Sequence, residues 1–444
     1  MQIIEEQMNL TVHRGTHQIG GTCISITDGP TRLILDVGSP LDVDLGKKDL
    51  ETAKKYFPNV KGLFQDSKER TPSTVLITHS HPDHTAFLDF LQEGNDVYMS
   101  ETTNEMMKVI DLFTNWDGKP KVKPRIIKSD HRIPGRDERV GNFIITAYDV
   151  DHSAPGAVAY VIRHAVTNKT IVYTGDIRAH GKKFKLFPMF IKACPKKPDI
   201  LITEGTMVGG DRDGVEETED ELKKRITEEL IRQKKPVLTN FSLTNGDRII
   251  CLLSACIDGG YEFVIDLPTA FIYKKFEELN WKIKPFKDMP FKVFILEAHQ
   301  RALADKGYSG FVESIRDKEV AMEDVFTQNN RLVLFKESQL GHFKRARKIP
   351  PGSLLIMSKW WQKPYPGQEI SYENYMTFVR KMRLKLDTTF HVSGHAYTKD
   401  LKTLAESINP KMLIPIHTNS PDAFKELLPG LNVRVLTDNE TITI

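Results

Sequence analysis

The sequence predicts an α/β protein in which a sandwich of sheets and helices is interrupted by an inserted second α/β domain. Three observations carry that expectation. From residue 9 to about 204, short β-branched or aliphatic runs close on Gly, Asp or His, with helix-forming stretches between them. Around residue 208 the texture changes to a turn-rich acidic linker followed by regular alternation of strands and helices. After about residue 375 the first texture returns. One hydrophobic core cannot serve all 444 residues, so residues 1–207 and 376–444 are expected to form one domain and residues 208–375 the insertion.

Taken in order, LTVHRG, CISITDG, RLILDVG, TVLITHS, FIITAYDVDH, AVAYVIRH, TIVYTGD and ILITEG read as strands. Thr85 to Glu93 and Thr102 to Phe113 read as helices between them. VGGDRDGVEETED is the linker, and ELKKRITEELIRQKK after it has helical spacing of apolar residues. PVLTNF, YEFVID, FKVFIL and LVLF are then strands of a parallel layer, separated by helices such as Thr269 to Leu279 and Glu297 to Lys306. The insertion is expected to end near KPYPGQE. Beyond it come a helix, TTFHVSGHA, a helix from Asp400, MLIPIHT and a hairpin-like VRVLTDNETITI. No internal repeat is visible.

Composition narrows the class. Four Cys, 24 Pro and 28 Gly exclude a disulfide scaffold and a collagen-like or low-complexity chain. Cys23, Cys194, Cys251 and Cys256 form no C-x-x-C, which predicts reduced, buried thiols. Sixty-two Lys+Arg against 59 Asp+Glu leave +3, so a polyanion would have to be held by local basic patches. KKFKLF at 182–187, KRARK at 344–348 and RKMRLK at 380–385 are the candidates, although charge runs are commonly just solvated faces. MQIIEEQMNL carries two Glu and no apolar run, and no ~18-residue apolar stretch follows, so a cytoplasmic protein without a membrane partner is expected.

The chemistry concentrates in TVLITHSHPDH, where a strand delivers His79, His81, Asp83 and His84 as H-x-H-x-D-H. Chance should produce that pattern on the order of once in a thousand such chains, and it has no packing rationale. Imidazoles with a carboxylate are what a Zn²⁺-type ion takes, and a tight turn after a strand can aim His79 and His81 at one ion and Asp83 with His84 at another. Other strand ends supply further ligands: His152 in YDVDHSAPGA, Asp176 in IVYTGD and His417 in LIPIHT. Asp176 can bridge two cations. Asp36, closing RLILDVG, can orient a ligand from behind. His13, His17, His131, His164, His180, His299, His342 and His391 lie outside these motifs and are read as structural.

The ordered set Asp36, His79-x-His81-x-Asp83-His84, His152 and Asp176 resembles the metallo-β-lactamase superfamily in motif identity, order and approximate separation. Glu204 in LITEGT, His395 in HVSGHA and His417 look like the three extra motifs of its β-CASP nuclease branch, which includes ribonuclease J and the cleavage subunit of mRNA 3′-end processing. The resemblance implies a metallo-β-lactamase αββα sandwich interrupted by a β-CASP domain. It implies two zinc ions, with manganese as an alternative. His79, His81 and His152 would hold one, Asp83, His84 and His417 the other, and Asp176 would bridge. It further implies a hydroxide activated between them that attacks phosphorus, and His395, near Glu204, assisting the leaving oxygen. Ser393 and Gly394 would approach a phosphate. Ser242, Asn245 and Arg248 in NFSLTNGDR are similar to the branch's substrate-contacting stretch. His417, where DNA-directed members usually carry Val, points to RNA, taken as a single strand.

Departures from the pattern are also informative. Thr418-Asn419 replaces the Gly-Glu that usually follows the final His, which puts the local support of His417 in question. The chain stops at Ile444, where ribonuclease J continues into a further domain, so dimerisation through that domain is not expected, and a homodimer of another kind stays open. Adjacent Trp360 and Trp361 are unusual, and such pairs more often pack than stack bases. The expected activity is metal-dependent RNA phosphodiester hydrolysis, endonucleolytic, 5′-exonucleolytic or both. A small-molecule thioesterase or lactonase would use the same metals but gives no account of Glu204, His395 and the insertion. A non-catalytic RNA-binding scaffold sits poorly with a ligand set that lacks no member.

Overall fold

The computed structural model describes residues 8–46, 48–57, 59–69, 71–113, 123–129, 137–210, 213–346, 349–360 and 364–444. His131, Trp361 and parts of DRDG and KRARK lie outside those residues. The chain divides into two compact units: Met1–Asn104, Asp117–Glu216 and Gly394–Ile444 form one, and Glu105–Trp116 with Glu217–Ser393 the other.

The first unit is built on two mixed sheets. In one, Asn9–Arg14, Cys23–Asp28 and Thr31–Leu35 run antiparallel and then continue in parallel through Thr74–Leu76 and Asp96–Met99. In the other, Phe143–Asp149, Val158–His164 and Thr170–Tyr173 form an antiparallel meander that continues in parallel through Ile200–Glu204 to Leu413–Ile416. Alternation along each strand decides the layers. Val158, Tyr160 and Ile162 join Leu10, Ile24, Leu33 and Leu76 in the core between the sheets. Ala159 and Val161 point the other way, packing with Phe187, Phe190, Leu401 and Leu404 of two helices, Leu186–Ala193 and Thr398–Ile408.

The second unit holds a six-stranded sheet, parallel at every ladder, with strands such as Val237–Asn240, Glu262–Asp266, Arg331–Leu334 and Leu354–Met357. Both faces are covered, which explains the continuous apolar runs: Val237, Phe263 and Leu332 serve one core, and Leu238, Val264 and Val333 the other. Its helix Glu219–Arg232 starts on a capping box made by Thr218 and Glu221.

Several elements differ from their sequence reading. Thr85 to Glu93 is not one helix: a short helix spans Pro82–Thr85 and a 3-10 turn Leu88–Phe90, because the chain must leave the site and pack Phe87 and Leu88 inward. The terminal segment forms no hairpin. Glu440–Thr443 instead pairs with Asn9 to Val12. The unit boundaries fall at 216/217 and 393/394 where the sequence reading placed them at 207/208 and 375/376. The later boundary moves because Glu369–Lys381 buries Tyr375, Phe378 and Val379 in the second unit's core and Lys385–Asp387 pairs with its strand Leu354–Met357. All four cysteines are free and buried. Among the described residues no helix is long and apolar enough to cross a membrane.

Arg248 belongs to this packing rather than to a surface. Its guanidinium is fully buried, donating to Glu219 Oε1 at 3.0 Å, to the Ser358 carbonyl at 2.8 Å and to the Val392 carbonyl at 3.3 Å. The expectation that it contacts substrate is therefore corrected: every visible donor is spent on its own unit. Glu219 is fully buried as well. Glu219→Gln would strand a buried cation, a cost of roughly 3–5 kcal/mol. Denaturant unfolding of the variant should show the midpoint falling accordingly. An unchanged midpoint would mean that the pair is solvated in solution.

Candidate metal centre

The strand Thr74–Leu76 ends just before the motif, and the helix Pro82–Thr85 turns the chain at once, so His79, His81, Asp83 and His84 leave one strand end. Backbone bonds pin that turn: Thr22 donates to the Asp83 carbonyl at 3.2 Å and Val37 to the His84 carbonyl at 2.9 Å. Gly38 is required beside it, since a Cβ there would fall 1.5 Å from the Asp83 carbonyl oxygen. His152 follows Phe143–Asp149, Asp176 follows Thr170–Tyr173, Glu204 ends Ile200–Glu204, and His417 follows Leu413–Ile416. Strand ends of both sheets of the first unit thus converge.

Asp176 is the centre of the group. Its Oδ2 lies 3.3 Å from His84 Nε2, 3.6 Å from His79 Nε2, 3.7 Å from His395 Nδ1 and 3.9 Å from His152 Nε2, and its Oδ1 lies 3.9 Å from His417 Nδ1. Among the described residues, three clusters have ligand atoms mutually within 4.8 Å: His79, His81, His152 and Asp176; Asp83, His84 and His417; and Asp176, His395 and His417. Both Asp176 oxygens, His79 Nε2 and His84 Nε2 are buried without a hydrogen-bond partner. Orphaned carboxylate and imidazole atoms facing one another are costly to bury unless a cation joins them, so the donor set fits divalent metal.

The supporting residues fix which ring nitrogen faces inward. Asp36 sits at φ 57° and its carboxylate accepts from Thr78 N (2.8 Å), Thr78 Oγ1 (2.9 Å) and Tyr173 OH (2.6 Å). It also lies 2.9 Å from His84 Nδ1, which leaves His84 Nε2 toward Asp176. His152 Nδ1 donates to the Gly394 carbonyl at 2.6 Å. Gly394 must be glycine, because a Cβ would stand 2.5 Å from Ser153 Oγ. His417 adopts φ 51°, its amide donating to Gly15 O at 2.6 Å, while its Nδ1 meets the Thr206 hydroxyl at 2.9 Å and its Nε2 lies 3.1 Å from Asp83 Oδ2.

Glu204 is fully buried and accepts from Ile177 N and Thr206 N, each at 3.1 Å. Both its oxygens lie 3.2 Å from His395 Nδ1, and the His395 side chain keeps 21% of its surface exposed. Burial opposes the charge on His395, yet Glu204 and then Asp176 outweigh it and raise the imidazole to about 9. Burial lowers His79 and His152 well below the ordinary value and His81 to about 4, the neutral state a metal requires. Burial disfavours charge on Asp83 too, but His84 and His417 bring it down to about 2.

The other sequence candidates are scattered. Asn245 caps its helix by accepting from Arg248 N at 2.9 Å, Ser242 is exposed, and Ser393 is buried. His13 and His164 are buried on Ser25 and Asp28, as structural histidines are. Residues the sequence reading missed are Thr78, Thr206 and Tyr173, and the buried pair Asp151 and Arg178. Asp151 accepts from Gly181 N at 2.7 Å and lies 3.4 Å from Arg178 Nε. Position beside a ligand motif was the one available signal: Asp151 precedes His152, and Arg178 follows Asp176 by two.

The superfamily profile described as beta-lactamase superfamily domain matches residues 60–218, and that of the Zn-dependent metallo-hydrolase RNA specificity domain matches residues 380–436. A ribonuclease J of Sinorhizobium meliloti is 24% identical over 366 residues, covering 80% of this chain and 59% of its own length. The chain belongs to the metallo-β-lactamase superfamily, in its β-CASP branch. It spans about three fifths of that ribonuclease J. A relative named probable RNase MJ4, from Methanocaldococcus jannaschii, is 22% identical over 431 residues, 90% of each chain. A crystal structure of a protein of unknown function from Enterococcus faecalis, 19% identical, superposes with a TM-score of 0.76 over 99% of this chain and all of its own, which shows a shared fold.

Proposed function

We propose that this β-CASP protein is a metal-dependent ribonuclease that hydrolyses RNA phosphodiester bonds. The observation that carries the reading is Asp176, a buried carboxylate with both oxygens unpartnered and five imidazoles 3.3 to 3.9 Å away. Two zinc ions suit the donors: His79, His81 and His152 would hold one and Asp83, His84 and His417 the other, with the Asp176 carboxylate within reach of both sets. Manganese is compatible with the same nitrogen and oxygen atoms. When bound, such a pair supplies an activated water and neutralises charge on a phosphoryl group. Asp36 holds His84, Gly394 holds His152 and Thr206 holds His417, so the rings are set before any ligand arrives. His395, oriented by Glu204, offers a proton to the departing oxygen.

Protein purified without chelator and then supplied with zinc or manganese should contain about two ions per chain, because the candidate ligands exceed what one tetrahedral ion accepts. Elemental analysis measures this, and a value that stays at zero removes the mechanism. RNA is the substrate favoured by the relatives named as ribonucleases and by His417. Matched labelled single strands should therefore be cleaved faster as RNA than as DNA. Faster DNA cleavage would leave a nuclease and overturn the choice of RNA. End-labelled substrates followed over time separate endonucleolytic from 5′-exonucleolytic action.

A further inference from the structure

Between Ile177 and Pro198 the chain contains no Asp or Glu, although acids make up 59 of its 444 residues. The same stretch carries Lys182, Lys183, Lys185, Lys192, Lys196 and Lys197. It forms the loop after Asp176 and then the helix Leu186–Ala193, whose Phe187 and Phe190 enter the core. The opposite stripe of that helix and its entry is exposed at Phe184, Lys185, Pro188, Met189 and Lys192, the spacing of one helical face. Phe184 is 46% and Met189 36% exposed, and the Lys185 ammonium lies 6.0 Å from the centre of the Phe184 ring. Among the described residues neither Lys185 nor Lys192 has a carboxylate partner. An exposed aromatic ring beside the Lys185 ammonium, with Lys192 on the same stripe, is the composition of a surface that stacks bases and tracks phosphates.

The location ties this strip to the metal centre. Gly181 is pinned by its amide to Asp151, the neighbour of His152, at 2.7 Å. Phe184 follows three residues later and its amide bonds back to the Gly181 carbonyl at 3.3 Å, so the ring starts within roughly 11 Å of that anchor by chain reach. We infer that Phe184, Lys185, Met189 and Lys192 form a contact surface for single-stranded RNA leading away from the Asp176 centre. The inference rests on the ribonuclease reading for its ligand. An anionic membrane would be a poorer match: the helix has eight residues, its large apolar side chains face the core, and the exposed stripe offers one ring and one thioether for insertion.

The test is equilibrium binding of a labelled single-stranded RNA to the full chain, by anisotropy, in calcium or without added metal to suppress cleavage. Phe184→Ala should weaken binding roughly 5- to 50-fold, within the range of one lost stacking contact. Lys185→Ala with Lys192→Ala should weaken it about 10-fold near 0.1 M salt and lower the salt slope by ~0.7 per lysine. Removing Lys402 and Lys425, exposed lysines paired with Glu406 and Asp422, should change binding less than 2-fold. Equal RNA affinity of wild type and both strip variants overturns the surface while leaving the ribonuclease reading intact. A wild type that binds no RNA fails that reading itself. Strip-dependent binding to phosphatidylserine vesicles with strip-independent RNA binding would reassign the surface to membranes.

Discussion

His395→Ala is expected to lower RNA turnover by roughly two to four orders of magnitude, the range of a lost general acid, with metal content unchanged. The expectation follows from what the ring touches. His395 Nδ1 stands 3.2 Å from both oxygens of Glu204, whose other partners are backbone amides. That carboxylate therefore orients one imidazole and favours its protonated form, with the second ring nitrogen left for substrate. Cations bound at Asp176 would offset part of the support that Asp176 gives His395, but Glu204, the larger of the two, remains. Glu204→Gln should consequently cause a smaller loss in the same direction. A nitrophenyl phosphodiester, whose leaving group needs no proton, should partly escape the His395→Ala defect. His395 also belongs to a ligand-like cluster with Asp176 and His417. Loss of metal from His395→Ala, or equal damage with both substrates, would make it a ligand or a positioning residue.

Much of this centre was legible because its chemistry is local in sequence. H-x-H-x-D-H marks a strand end by itself, and His152, Asp176 and His417 each close an apolar run, so strand alternation and ligand type point to the same place. The supporting residues carry no such mark. Thr206 gains its role because the strand before it runs beside Leu413–Ile416, bringing its hydroxyl to His417 Nδ1 across 211 positions. That contact supplies the ring support left in question by Thr418-Asn419. Thr418 itself accepts from Ser420 N at 3.1 Å. Arg248 misled for the opposite reason. Likeness to a substrate-contacting stretch carries no mark of burial, yet Asn245 caps a helix whose first turn is buried, and Glu219, 29 positions away, neutralises the arginine. In the same way Glu440–Thr443 found the Asn9 to Val12 edge instead of its own neighbours. Long-range pairing decided all three.

Asp176→Asn should be the most damaging single exchange, lowering RNA hydrolysis by roughly four orders of magnitude or more, as when one member of a cooperating unit is removed. The carboxylate is the one acidic group common to the first and third ligand clusters, and it lies 3.3 Å from His84 of the second. An amide keeps its size but neither its charge nor its capacity to bridge. Metal content should fall from about two ions per chain to one or fewer, since the first site would keep only three neutral imidazoles. Packing should survive: the neighbouring strand Thr170–Tyr173 buries Ile171, Val172 and Tyr173 in the cores, and Asp176 makes no hydrogen bond there. Circular dichroism and the thermal midpoint of metal-free protein should therefore stay close to wild type, while the stabilisation that added zinc gives the wild type is largely lost, because a ligand stabilises the folded state in proportion to its affinity. A variant that retains two ions and full turnover would show that Asp176 is not a ligand. One that unfolds before metal is added would show the carboxylate to be structural, paired with the surrounding histidines rather than kept for a cation.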